Sequence, residues 1–205
     1  MSLSALDATD LDLLYDQPSD SITKGVLPHL TSFHLAYLRV ASFFCLATGS
    51  SDGIDASPRG GSPGFVHALD EKHVAFADWP GNNRIASLRN LASDDRIGML
   101  FLFPGLEVFM RINGRAIMST DATLLERLVE GTKMPKTAIV VRIDEVLFHC
   151  GKAINRAKLW SEASRLARSS VPTPGEMKAA MAGQDVSVAR AIDEGYYKSV
   201  RNDLY

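Results

Sequence analysis

Two arginine-containing segments have the residue types and spacing of an anion-binding site. The first, Asp78 to Arg84 with the sequence DWPGNNR, lies where a predicted strand ends and a predicted helix begins. Free N–H groups and the positive end of the helix dipole attract a phosphate at such a helix N-terminus. Asn82 and Asn83 add side-chain donors, and Arg84, in the predicted first turn, can bind phosphate oxygens through two N–H groups. The same spacing also fits an ordinary capped helix with a solvated arginine.

The second segment, Ser57-Pro58-Arg59-Gly60, lies at the end of the second predicted strand. A proline within a strand removes a ladder hydrogen bond, so Pro58 indicates an edge strand or a bulge. Arg59 is then placed to reach the same phosphate as Arg84. The alternative is a surface arginine in a loop.

Other catalytic chemistries lack their sequence motifs. The five histidines (His29, His34, His67, His73 and His149) form no H-E-x-x-H motif and no Cys/His pair at zinc spacing. There is no G-x-S-x-G nucleophile motif. The glycines at 60, 61 and 64 match neither a Walker loop nor G-x-G-x-x-G. The sequence therefore does not support a metal site, nucleophilic catalysis or nucleotide hydrolysis.

Composition excludes further classes. The chain has 205 residues and a formal net charge of −2, which gives no electrostatic basis for general nucleic-acid binding. No apolar run approaches a membrane span, and no signal-peptide pattern begins the sequence. Cys45 and Cys150 are too few for a disulfide scaffold and are predicted to be buried, reduced thiols. These features favour a cytoplasmic protein.

Hydrophobic periodicity predicts about seven strands joined by short turns, with two short helices inserted and helices at both ends. The predicted strands cover 43–48, 54–58, 65–69, 73–77, 96–103, 107–119 and 137–148. The predicted helices cover 30–41, 83–92, 122–130, 152–168, a segment starting at 174, and 186–197. Strands connected so tightly favour an antiparallel sheet or small barrel over a βαβ fold. The first 29 residues are predicted to form an acidic arm or short helix.

Several short segments carry a resemblance to a known family. They are Asp55–Gly60, Pro63–Val66, Pro80–Arg84 with Ser87–Asn90, Gly98–Gly105, Arg111–Ala116, and Phe148–Ala153 running on to Trp160. In this order, the set resembles the FMN-binding split-barrel proteins related to pyridoxamine 5′-phosphate oxidase. Within that family it is similar to the flavin-nucleotide-binding branch.

The resemblance implies a mainly β fold with flanking helices: a six-stranded antiparallel split β-barrel that forms a homodimer, with FMN at the subunit interface. The barrel would occupy residues 30–160, and a helical extension, 161–205, would pack on it. Arg84 and Arg59 would hold the phosphate, while Asp78 and Trp79 would lie along the ribityl chain or ring edge. The full set of implied cofactor residues is Ser57, Arg59, Asp78, Trp79, Asn82, Asn83, Arg84, Arg111 and Lys152.

The implied function is an FMN-dependent oxidoreductase acting on an unknown small substrate. Flavin itself carries hydride or electron transfer, so no acid/base pair from the protein is required. The oxidase's C-terminal Arg-Leu-His-type segment has no counterpart in Arg201–Tyr205, so oxidation of vitamin B6 is not implied. The alternatives are a non-catalytic flavin carrier or sensor, a deazaflavin user, or a haem-handling protein with His149 or His67 as ligand.

Overall fold

The computed structural model describes residues 4–81 and 83–205. The α-helices are α1 (Ala8–Leu14), α2 (Asp20–Lys24), α3 (Ser32–Val40), α4 (Ala86–Ser93), α5 (Ala122–Arg127), α6 (Lys152–Ala157), α7 (Pro174–Met181) and α8 (Ala189–Asn202). The strands are β1 (Phe43–Ser50), β2 (Gly53–Gly60), β3 (His67–Ala68), β4 (His73–Asp78), β5 (Arg96–Leu102), β6 (Val108–Ser119) and β7 (Thr137–Cys150). Short 3-10 helices lie at Glu162–Ser164, Arg168–Ser170 and Val186–Val188.

All seven strands belong to one antiparallel sheet in the order β2-β1-β5-β6-β7-β4-β3. The prediction of a mainly β, antiparallel fold with flanking helices is confirmed. The sheet has seven strands where the split-barrel resemblance implied six, and β3 is the shortest of them. β2 is an edge strand, the position that Pro58 predicted, because a proline is tolerated where one side of a strand has no partner.

The sheet curls around its core. The rings of Phe44 in β1 and Phe76 in β4 meet edge to face at 5.1 Å, although three strands separate β1 from β4 in the sheet. The long strands β6 and β7 allow this curl through a register shift between Asn113 and Gly114. Position 114 must be glycine, because a Cβ atom there would overlap the carbonyl oxygen of Arg142.

Strand alternation decides which side chains enter the core. The fully buried large residues are Phe44, Leu46, Val74, Phe76, Met99, Phe101, Met110, Ile112, Ile139, Val141 and Val146. Because Phe44 and Leu46 point inward, Cys45 between them faces outward. Both Cys45 and Cys150 are exposed free thiols, so the prediction that they are buried is wrong.

The helices after the barrel differ in part from the expectation. The helix predicted over 152–168 ends at Ala157, because Lys158 adopts a left-handed conformation with φ 50°. The helix predicted from Pro174 is present, and Thr173 and Glu176 form its capping box. Within the described residues, no helix is long and apolar enough to cross a membrane.

Candidate functional site

A cavity of about 550 Å³ lies where β2, the end of β4, the start of α4 and the start of β7 come together. Its lining is Asp55, Ser57, Pro58, Arg59, Asp78, Trp79, Pro80, Gly81, Asn83, Arg84, Ile85, Ala86, Ser87, Leu88, Lys136 and Thr137. Its volume lies within the range of about 300–1,000 Å³ that is usual for small-molecule sites.

Strand alternation places three polar side chains of β2 in this cavity. Asp55, Ser57 and Arg59 occupy every second position, so they share one face of the strand. All three are partly buried, whereas Ala56 and Pro58 between them are exposed. The arrangement forms one polar wall.

Ser87, which is buried in the first turn of α4, connects these three residues. Its hydroxyl donates to Asp55 Oδ2 at 2.6 Å and accepts from Arg59 Nη2 at 3.1 Å. Ser57 Oγ lies 2.9 Å from Ser87 Oγ, and since the single Ser87 proton goes to Asp55, Ser57 is the donor in that bond. The hydroxyl therefore fixes the guanidinium of Arg59 relative to α4.

Arg59 retains hydrogen-bonding capacity in spite of these contacts. Its side chain is 24% exposed, and Nη2 lies 4.0 Å from Asp78 Oδ1. Nη1 donates to the carbonyl of Pro58, whereas the buried Nε has no hydrogen-bond partner among the described residues. Buried N–H groups are rarely left unsatisfied, so an acceptor that binds beside Arg59 would be favourable; the buried Nε of Arg111, outside this cavity, is a second donor of this kind.

Burial also affects the carboxyl group opposite Arg59. It raises the pKa of Asp78 above its ordinary value, and the nearby positive charge of Arg59 offsets only part of this shift. Asp78 is therefore a poorly solvated carboxylate that gains from hydrogen-bond donors placed in the cavity.

The loop before α4 departs from the expected geometry. The helix was predicted from Asn83, but it begins at Ala86, because Asn83 and Ile85 have positive φ angles of 58° and 45°. Arg84 therefore lies in the loop before the helix instead of in its first turn, and it is an exposed residue of the cavity lining. A left-handed conformation is unusual for a β-branched residue such as Ile85 and indicates local strain.

Six of the predicted cofactor residues line the same cavity: Ser57, Arg59, Asp78, Trp79, Asn83 and Arg84. Arg111 and Lys152 do not line it. Arg111 lies on β6, where its Nη2 donates to Glu145 Oε1 at 3.1 Å, and Lys152 is the exposed first residue of α6. Asn82 lies outside the described residues.

Sequence reasoning did not assign Asp55, Ser87, Lys136 or Thr137 to the site. A D-x-S-x-R alternation was available as a signal for Asp55, and helical spacing placed Ser87 near the loop. Lys136 had no such signal, because it reaches the cavity only through the pairing of Thr137 with Asp78 between β7 and β4. Strand pairing over that sequence distance cannot be deduced from local pattern.

A family model described as pyridoxamine 5′-phosphate oxidase matches residues 30–150, more than half of the chain. The chain belongs to the pyridoxamine 5′-phosphate oxidase family. The matched region contains every residue that lines the cavity. A search of curated protein sequences found no match.

Solved structures of similar proteins are distant in sequence. HupZ from Group A Streptococcus is 14% identical, with a TM-score of 0.47, over 57% of this chain and 92% of its own. An FMN-binding protein from Syntrophomonas wolfei is 13% identical, with a TM-score of 0.43, over 55% and 81%. The FAD-binding protein from Mycobacterium smegmatis is 12% identical, with a TM-score of 0.41, over 60% and 97%.

Proposed function

We propose that this member of the pyridoxamine 5′-phosphate oxidase family binds FMN in the cavity, with the phosphate held by Arg59 and Arg84. We further propose that it is an FMN-dependent oxidoreductase acting on a small organic substrate. The observation that carries the proposal is the partly buried Arg59, whose Nε lacks an acceptor beside a cavity of flavin-compatible volume.

The charges of the cavity fit a phosphate dianion. Three cationic side chains, from Arg59, Arg84 and Lys136, line it together with two carboxylates, from Asp55 and Asp78. The Asp55 carboxylate accepts a hydrogen bond from the Ser87 hydroxyl. The cations outnumber the carboxylates by one, so the cavity carries a net positive charge that attracts an anion.

Each of these side chains has a role in the proposed complex. Arg59 and Arg84 donate hydrogen bonds to phosphate oxygens, and Ser57 and Asn83 supply further donors. Asp78 accepts hydrogen bonds from the ribityl hydroxyl groups, and Trp79 covers the ring edge and excludes water. When bound, the flavin supplies hydride or electron transfer, while these residues fix its position.

We also propose a homodimer with the cofactor at the subunit interface. The outer face of the sheet, on the side of β2 away from Asp55, Ser57 and Arg59, supports the dimer, because Ala47 in β1 lies beside Gly98 in β5 and opposite Ala56 in β2. These small residues leave a shallow surface, and the exposed Leu100 extends it. A second copy of the chain can approach the backbone closely there, as tight interfaces require.

A substitution on this face tests the dimer. We expect Ala47→Glu to convert the protein to a monomer in light scattering, because a buried, unpaired charge at an interface is costly. A cofactor site shared between the subunits would lose FMN in the same variant. Ala180→Glu on the exposed side of α7 is the matched control and leaves both properties unchanged. A wild-type monomer that binds FMN stoichiometrically would refute the shared site.

Absorption spectroscopy of the purified protein tests the cofactor. A two-banded flavin spectrum, or saturable binding of added FMN, supports the proposal, and a Soret band would indicate haem instead. Reduction of bound flavin by NADH or NADPH and faster reoxidation with a small acceptor support an oxidoreductase. Bound flavin that no donor reduces would favour a carrier or sensor.

We assign the protein to the cytoplasm. Support comes from Cys45 and Cys150, which are exposed and unpaired, because such thiols persist in a reducing compartment. Thiol titration of protein isolated under acid quenching tests this, and we expect both cysteines to react as free thiols. Quantitative oxidation in the isolated protein would contradict the assignment.

A further inference from the structure

Trp79, on the wall of the cavity, is in contact with a residue distant in sequence. Its indole ring meets the ring of Tyr205 edge to face, with centroids 4.9 Å apart and an interplanar angle of 82°. Trp79 also packs against the small apolar cluster of Ala75, Ala77, Leu128 and Ala138. Tyr205 is therefore part of the environment that determines where this indole lies.

A well-packed helical hairpin carries Tyr205. Helices α7 and α8 pack so closely that a Cβ atom on Gly175 would overlap the carbonyl oxygen of Ala189. The Gly175 N–H also donates to Asp193 Oδ1 at 2.8 Å. Tyr205 follows the end of α8 at Asn202 by three residues, so the position of the hairpin limits the position of its ring.

We infer that Tyr205 is the positioning residue for Trp79, and that the α7–α8 hairpin acts through it as a strap across the Trp79 side of the cofactor cavity. This inference rests on the proposed function, because Trp79 is the residue assigned to the ring edge of FMN. With Tyr205 in place, the indole is preorganised before the cofactor binds. Preorganisation lowers the entropic cost of binding and slows release.

Substitution of the tyrosine ring tests the strap in the full chain. An edge-to-face aromatic pair contributes about 0.5–1.5 kcal/mol, and this energy limits what its loss can cost in binding. We therefore expect Tyr205→Ala to raise the Kd for FMN about twofold, and by no more than about tenfold. The change arises mainly from faster dissociation, measured by stopped-flow recovery of free-flavin fluorescence. Tyr205→Phe keeps the ring and behaves like the wild type.

A matched control comes from α8, the helix that precedes Tyr205. Tyr197 packs its ring on the Arg201 guanidinium and does not line the cavity. We expect Tyr197→Ala to leave the rate of FMN dissociation unchanged. An equal increase in both alanine variants would show a general loosening of the hairpin and overturn the specific role of Tyr205.

A second readout requires no cofactor. The chain has two tryptophans, so Trp160→Phe leaves Trp79 as the only indole fluorophore. In that background we expect Tyr205→Ala to increase acrylamide quenching of Trp79, and Tyr205→Phe to leave it unchanged. A merely structural role elsewhere in the hairpin would not change this signal.

The outcomes separate the two proposals. If the wild type binds FMN, and Tyr205→Ala has the same rate of FMN dissociation and the same quenching of Trp79, the proposed role of Tyr205 is wrong and the proposed function stands. If the wild type fails to bind FMN, the proposed function fails and the strap across a cofactor site fails with it. Faster FMN dissociation and stronger quenching of Trp79 in Tyr205→Ala, with wild-type values of both in Tyr205→Phe, support the inference.

Discussion

Replacing Arg59 with methionine removes the guanidinium while keeping a long apolar stem in the partly buried position. In the structure this guanidinium donates to Ser87 Oγ, faces Asp78 at 4.0 Å and keeps a buried Nε without an acceptor. The variant therefore removes donors assigned to the phosphate. It leaves Arg84 and Lys136 as the remaining cations of the cavity.

The expected size of the effect follows from the burial and charge of Arg59. A hydrogen bond to a charged group contributes about 1.5–3 kcal/mol, which is about 10- to 140-fold in Kd. Since the side chain is 24% exposed and Asp78 shares its charge, solvent and the carboxylate screen part of the interaction. We expect the Kd for FMN to rise about 10- to 40-fold.

Comparing FMN with riboflavin makes the assay specific for the phosphate. Quenching of flavin fluorescence gives both dissociation constants, and riboflavin has the same ring and ribityl chain without the phosphate. We expect Arg59→Met to weaken FMN binding and to leave riboflavin binding nearly unchanged. Arg89→Met is the control, because Arg89 is exposed on α4 and does not line the cavity.

Two results would exclude the proposed contact between Arg59 and the phosphate. Unchanged FMN affinity in Arg59→Met would remove Arg59 from the phosphate site. Equal losses for FMN and riboflavin would show that the variant disturbs the cavity as a whole.

Three further predictions concern stability. Because burial raises the pKa of Asp78, its ionised form destabilises the fold at neutral pH, and we expect Asp78→Asn to unfold at a higher temperature than the wild type. The difference should vanish as the pH falls below about 3.8, where Asp78 is protonated in both the folded and the unfolded state. Equal unfolding temperatures of the two proteins at neutral pH would contradict this prediction. Burial and the charge of His29 lower the pKa of His34. The neutral ring accepts a hydrogen bond at Nδ1 from the Thr31 N–H, at 3.0 Å. The stability that neutral His34 provides is therefore lost as the pH falls below about 6.5. His34→Gln, which keeps a capping acceptor, should show a weaker acid dependence in thermal unfolding; a slope equal to that of the wild type would exclude His34. Gly114→Ala should prevent folding or lower the midpoint by many degrees, whereas normal stability would show that the strand bulge tolerates a side chain.

The strands of the fold could be predicted from sequence, because one-sided burial imposes alternation that local pattern records. Phe44 and Leu46 enter the core while Cys45 faces outward, so strand alternation predicts that the Cys45 thiol is exposed. The predicted helix over 152–168 ended early, because the left-handed conformation of Lys158 carries no strong sequence signal.

Part of the candidate site was also accessible from sequence, since Arg59 and Arg84 each lie next to a predicted strand or helix end. The start of α4 was not, because the left-handed conformation of Ile85 opposes its intrinsic preference and depends on tertiary packing. Lys136 lines the cavity through long-range strand pairing, and Tyr205 contacts Trp79 through the packing of the C-terminal helices, and neither contact can be deduced from local sequence pattern.

The proposed function requires one phosphate bound between two arginines at the start of α4. A crystal structure of the protein with FMN shows whether the phosphate lies there. We predict phosphate density within hydrogen-bonding distance of both Arg59 and Arg84, with the isoalloxazine ring extending toward Trp79. Flavin bound at another surface, with both guanidinium groups turned away from its phosphate, would contradict the account.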